Sequence, residues 1–173
     1  MPLLIVSAAD WVDAAVAAIP RDEAWMLLRV FIAGLLGGVL GWEREVRGKE
    51  AGLRTHVLVA LAAGLYAAVT VLLASPESTI SDALRTINAV ATGIGFLGAG
   101  LIFVNRSEGR VRGLTTAASV WATAAVGLTV GFGYWLLAGG ATAMIWSVLR
   151  LLSALERDHP DGEIPTRRNV RKR

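Results

Sequence analysis

Three stretches of this chain contain no Asp, Glu, Lys or Arg: Thr55–Pro76 (22 residues), Thr86–Asn105 (20) and Leu114–Leu149 (36). A helix needs about 20 apolar residues to cross the hydrocarbon core of a bilayer. Lipid offers no hydrogen bonds, so a spanning segment must satisfy its backbone internally, as a helix does. The runs therefore predict an all-α integral membrane protein. Composition agrees: 54% of residues are apolar, only 18% are charged and mean hydropathy is +0.55. A soluble domain carries about 25% charge. A soluble globular domain, a disordered chain and a nucleic-acid module are all excluded. The sequence has no cysteine, which removes disulfides, thiolate metal sites and a Cys nucleophile.

The longest run would measure about 54 Å as one helix at 1.5 Å per residue, too long for a single span. Gly131-Phe132-Gly133-Tyr134 supplies the break. A further span, 24–42, precedes the first polar loop and contains Arg29. An arginine at a helix centre costs about 2.5–3.5 kcal/mol, so Arg29 is expected to snorkel to the outer interface. The reading is a bundle of five spans, 24–42, 55–75, 87–104, 114–130 and 134–152. An amphipathic leader (1–23) precedes it, and a basic tail (153–173) follows. No cleaved signal peptide is expected, because Met1–Ala9 has no basic n-region.

Charge sets the expected orientation. The segments Glu43–Arg54 and Asn105–Gly113 and the tail from Arg150 together hold fourteen basic residues, against Arg21 and Arg85 on the other side. The positive-inside rule then puts the C-terminus in the cytoplasm and the N-terminus outside. The tail, ending RRNVRKR, is expected on the anionic inner leaflet. The partners expected are the lipid bilayer and either a membrane protein or a second copy, with no nucleic acid.

Candidate functional residues fall in four groups. Gly34, Gly37, Gly38 and Gly41 form two overlapping G-x-x-x-G pairs, read as helix packing. Gly93, Gly95, Gly98 and Gly100 lie within one span. They formally match a dinucleotide motif, but no strand precedes them and no acid follows at the required distance. Tight packing is favoured over an unwound segment lining a cavity. At the inner interface Glu43, Arg44, Arg54 and Thr55 mix charge signs. Glu43 and Arg54 are placed to pair. Glu43 is also a weak candidate for Mg²⁺, a cation held by one or two carboxylates and retained waters. His56 is expected to make a structural hydrogen bond. Asn88, Thr115 and Thr116 are the remaining polar candidates. Thr116, Ser119 and Thr123 share one helix face, expected to bond to the third span or to line a polar path.

No Asp or Glu lies deep in any predicted span. That weighs against a proton relay or a carboxylate-lined pore. No Walker motif or Ser/His/Asp arrangement is present, so no catalytic residue and no enzyme activity are expected.

With these segments in view, the chain resembles the MgtC/SapB family of bacterial membrane proteins, from Arg29 to about Gly133. Three blocks carry the resemblance: GVLGWERE…GKEAGLRTHVLVALAAGL (Gly38–Leu65), ATGIGFLGAGLIF (Ala91–Phe103) and VRGLTTAASVWATAAVGLTVGFGYW (Val111–Trp135). The matching motif positions are Glu43, Arg44, Arg54, Thr55, Gly93, Gly95, Gly98, Gly100, Gly113, Leu114, Thr115, Thr116 and Ala117. The resemblance implies a multi-pass protein of the bacterial cytoplasmic (inner) membrane, tied to growth at low Mg²⁺. It implies a regulator without a resident cofactor, with ATP synthase inhibition proposed for some members. Mg²⁺ is the candidate ion and cation transport the alternative role. Many members continue into a soluble domain, and functions resting on that domain are not expected of these residues.

Overall fold

The structure is a computed structural model that describes residues 21–74, 79–105 and 110–155. Among the described residues five helices follow one another: α1 (Arg21–Val46), α2 (Leu53–Leu73), α3 (Thr79–Leu101), α4 (Leu114–Gly131) and α5 (Trp135–Leu155). Between α3 and α4 lies a short antiparallel hairpin, β1 (Phe103–Asn105) and β2 (Arg110–Arg112), with Val104 opposite Val111. Four helical segments are long and apolar enough to cross a membrane: Glu23–Val46, Leu53–Leu73, Ile80–Leu101 and Leu114–Gly131. The apolar segment Trp135–Leu151 of α5 is shorter. The amphipathic leader and most of the basic tail lie outside the described residues.

Two of the helices differ from the expected spans by more than three residues at an end. The first span does not stop at Trp42, because α1 continues to Val46 and carries Glu43, Arg44 and Glu45 as helix. An i,i+4 ion pair, Arg47 to Glu43, supports that last turn. The third span does not run over 87–104, because α3 begins at Thr79 and ends at Leu101 and Phe103 is already strand. Hydropathy cannot separate the two, since LIFV is apolar in either form.

The helices sort by burial. α4 is the central one, with 61% of its spanning window buried, whereas α3 has 6% and hangs on the outside. Lipid tails are as apolar as leucine, so helices in a membrane associate by close van der Waals packing. The core is accordingly built of small residues: Ala33, Ala60, Ala63, Ala67 and Ala124 are all buried. Glycine lets the axes approach further. A Cβ on Gly37 would stand 2.5 Å from the Ala60 methyl, and one on Gly41 2.8 Å from Leu53 Cα. On α4, a Cβ on Gly127 would stand 2.5 Å from the Ala60 carbonyl oxygen. Gly34 meets the Leu61 side chain, while Gly38 has ordinary room beside Val57.

The break between α4 and α5 falls at Gly133, whose φ of +93° is left-handed backbone that a Cβ disfavours. Arg29 closes this turn. Its guanidinium donates to the Gly131 carbonyl at 3.3 Å and lies against Gly133. It is therefore half-buried over the negative end of the α4 dipole.

Candidate functional site

Polar side chains gather where α1 ends and α4 begins. Glu43 and Arg44 are buried in the last turn of α1, with Arg44 only 2% exposed. Arg44 Nη1 donates to Glu43 Oε2 at 3.4 Å, and Arg47 pairs with the other carboxylate oxygen. The expected Glu43–Arg54 pair is replaced by these contacts, and Arg54 and Thr55 lie exposed on the first turn of α2. Glu43 thus faces two guanidinium groups. The neighbouring Glu45 accepts the Leu53 backbone N–H at 2.9 Å, capping α2.

The N-terminus of α4 forms the opposite wall. Gly113 precedes it at φ +85°, and a Cβ there would run into the Leu101 carbonyl. Only glycine fits between the hairpin and the helix. Thr116 is buried, and its hydroxyl donates to Glu50 Oε2 at 2.8 Å. The Glu50 carboxyl is held below its ordinary pKa. Its own backbone N–H and the Thr116 hydroxyl contribute most to this, with smaller help from Lys49 and Arg44. A cavity of about 390 Å³ opens between these walls, lined by Arg44, Lys49, Glu50, Arg112, Thr115 and Thr116 among others.

The hydroxyl face of α4 turns toward α2 instead of α3. His56, fully buried on α2, lies 3.1 Å from Ser119 Oγ through Nε2 and 2.9 Å from the Gly52 carbonyl through Nδ1. A carbonyl only accepts, so Nδ1 carries the proton in that contact. Thr123 donates back to the Ser119 carbonyl at 2.8 Å, and the single Ser119 proton lies within reach of both His56 Nε2 and the Thr116 carbonyl, the latter at 2.8 Å. All three hydroxyls find partners within the protein: Ser119 joins α4 to α2, Thr116 joins it to the loop before α2, and Thr123 bonds within its own helix. No three His, Cys, Asp or Glu side chains converge to hold a metal among the described residues.

The glycine run Gly93–Gly100 is continuous helix within α3. It does not pack as expected inside the chain. A Cβ on Gly98 would stand 3.7 Å from the Ala117 methyl, but nothing stands within 4 Å of a Cβ on Gly93, Gly95 or Gly100. Val90, Ile94 and Leu101 make the contacts with the core. Asn88, Thr92, Gly95 and Ala99 recur at i, i+4, i+7 and i+11, on the opposite side, and all are exposed. Thr92 satisfies itself on the Asn88 carbonyl at 2.8 Å. The Asn88 side-chain amide has no partner among the described residues.

Comparison with known proteins follows the same segments. The MgtC family model matches residues 30–158. Protein SrpB of Synechococcus elongatus is 44% identical over 124 residues, covering 67% of this chain and 68% of that protein. The putative magnesium transporter YhiD of Escherichia coli K12 is 38% identical over 136 residues, covering 76% of this chain and 62% of that protein. Protein MgtC of Brucella abortus is 46% identical over 124 residues, covering 71% of this chain but 49% of that protein. The chain thus spans about two thirds of the first two relatives and about half of the third. None of these three names denotes a catalytic activity. No solved structure matches.

Proposed function

The chain belongs to the MgtC family of membrane proteins, and from that premise we propose that it serves magnesium homeostasis by regulating a membrane partner rather than by carrying the ion. In this reading five helices cross the bacterial inner membrane, with the C-terminus in the cytoplasm as the positive-inside rule requires.

One observation carries the proposal: the polar and small-residue stripe of α3 points away from its own bundle. Asn88 and Thr92 sit near the middle of a helix that runs from Thr79 to Leu101. Facing lipid there, the Asn88 amide has no water to bond to. A neighbouring helix would satisfy it, and an interhelical hydrogen bond of this kind contributes about 1–2 kcal/mol. Gly95 and Ala99 on the same stripe let that neighbour come close. Support also comes from the carboxylates, since every Asp and Glu among the described residues lies at a helix end or in a loop.

Cation transport has the printed name of the Escherichia coli relative in its favour. On this chain, however, the one carboxylate raised as an ion ligand, Glu43, already faces Arg44 and Arg47.

Substitution on the stripe separates function from folding. Gly95→Leu meets open space, so the protein should accumulate and melt as the parent does. It should nevertheless fail to restore growth at low Mg²⁺ to a strain lacking the gene, and Asn88→Leu should do the same. Full restoration by both variants would remove α3 as the docking face. Because the chain lacks cysteine, Ala99→Cys also provides a single crosslinking site. A partner crosslink supports the proposal, and a dimer alone would replace the partner with a second copy.

A further inference from the structure

The cavity at the start of α4 has a property that the docking role does not use. Arg44 lines it and is almost fully buried. Of its donors, Nη1 reaches Glu43, while Nε and Nη2 have no hydrogen-bond partner among the described residues. These two atoms form one edge of the guanidinium, the edge that grips a carboxylate or phosphate through two parallel bonds. A buried, unsatisfied charged donor is costly unless something fills its valence.

The rest of the wall has the same sign. Lys49 and Arg112 line the cavity beside Arg44, against the single carboxylate of Glu50. Facing them is the N-terminus of an 18-residue helix, which no side chain caps. Its first intrahelical bond is Ala117 N–H to the Gly113 carbonyl, at 2.8 Å. The preceding N–H groups of Leu114, Thr115 and Thr116 remain available, at the positive end of the helix dipole. A volume of about 390 Å³ lies within the range of small-ligand sites.

We infer that this cavity binds a phosphate group, held between the Arg44 guanidinium and the N-terminus of α4, with Lys49 and Arg112 beside it. Glu50 is the resident anion of the site. Its carboxylate holds the Thr116 hydroxyl and reduces the positive potential that an incoming phosphate meets. The cavity lies at the end of the bundle where α1 ends and α4 begins. The phosphate is either a phospholipid headgroup or free inorganic phosphate, which present the same oxygens.

The test uses the full chain. In neutral detergent, thermal unfolding is followed while inorganic phosphate replaces chloride at constant ionic strength. In a parallel arm the protein is placed in phosphatidylcholine nanodiscs with and without phosphatidylglycerol. A concentration-dependent rise in Tm is expected in at least one arm, as binding to the folded state requires. A response to inorganic phosphate assigns the free ion, and a response to phosphatidylglycerol alone assigns the headgroup.

Arg44→Gln should weaken the apparent affinity about ten- to hundredfold. Arg44 is buried and paired with Glu43, so this substitution also tests folding. The exposed pair Lys49→Gln with Arg112→Gln then decides, with an expected loss of about tenfold. Glu50→Gln should tighten binding several-fold, an effect in the opposite direction that a purely structural role would not produce. No response to either probe in the parent protein overturns the inference. So does an unchanged affinity in both the Lys49/Arg112 and Glu50 variants.

Discussion

Gly127→Leu should leave no folded protein to measure. The Cβ alone would stand 2.5 Å from the Ala60 carbonyl oxygen and 3.0 Å from Ala60 Cα. Those are backbone atoms of α2, so no side-chain rotation can clear them. Relief requires α2 and α4 to move apart, and their seam also includes Gly64, Ala67 and Gly131. Overpacking an ordinary core site costs about 1–3 kcal/mol, and here the whole seam opens. Gly100→Leu, placed on α3 where nothing lies within 4 Å, should be tolerated. The measurement is the monodisperse yield and melting curve of each variant in detergent. Equal behaviour of the two would mean that the α2–α4 contact is not as close as described.

Breaking the buried pair at the end of α1 should have the second-largest effect. Glu43→Leu leaves Arg44, 2% exposed, without the carboxylate beside it. Removing one member of a buried pair costs about 3–5 kcal/mol, whereas replacing both with apolar residues is often neutral. Glu43→Leu should therefore lower the melting temperature sharply, and Glu43→Leu with Arg44→Met should restore much of it. The restored double variant should also lose any response to phosphate, because Arg44 supplies the donors. If the double variant melts lower than the single one, the pair is not the source of the effect.

The spans were legible because they depend on a local quantity, the absence of charge over some 20 residues. The break at Gly131–Gly133 was legible for a similar reason, as two glycines close together end a helix. The boundary at Glu43–Val46 was not, because charged residues at a membrane surface suit a loop or a helix end equally. Their helical state follows from the contact of Glu43 with Arg47, together with burial against the rest of the bundle.

Glycine shows the limit more sharply. The run Gly93–Gly100 draws the eye, yet three of its four glycines face open space. The tight seam instead uses Gly127 and Gly131, a G-x-x-x-G pair in plain view within α4. Composition alone cannot tell which glycine face a neighbour covers. Arg29 is a different case, since its partner at Gly131 is 102 residues away in sequence. The sequence cue was a lone arginine within a span, with a helix end elsewhere needing a cation. The site at the start of α4 was partly visible through Glu43, Arg44, Thr115 and Thr116. Lys49, Glu50 and Arg112 entered it only through the fold, which brings the loop before α2 against β2.

The most direct measurement is Mg²⁺ flux through the purified full chain in sealed liposomes containing a Mg²⁺-sensitive dye. A regulator without a permeation path should give the leak of protein-free vesicles at every external concentration. Saturable Mg²⁺ entry, abolished by Glu43→Gln or Asn88→Ala, would contradict that role and make this chain a transporter.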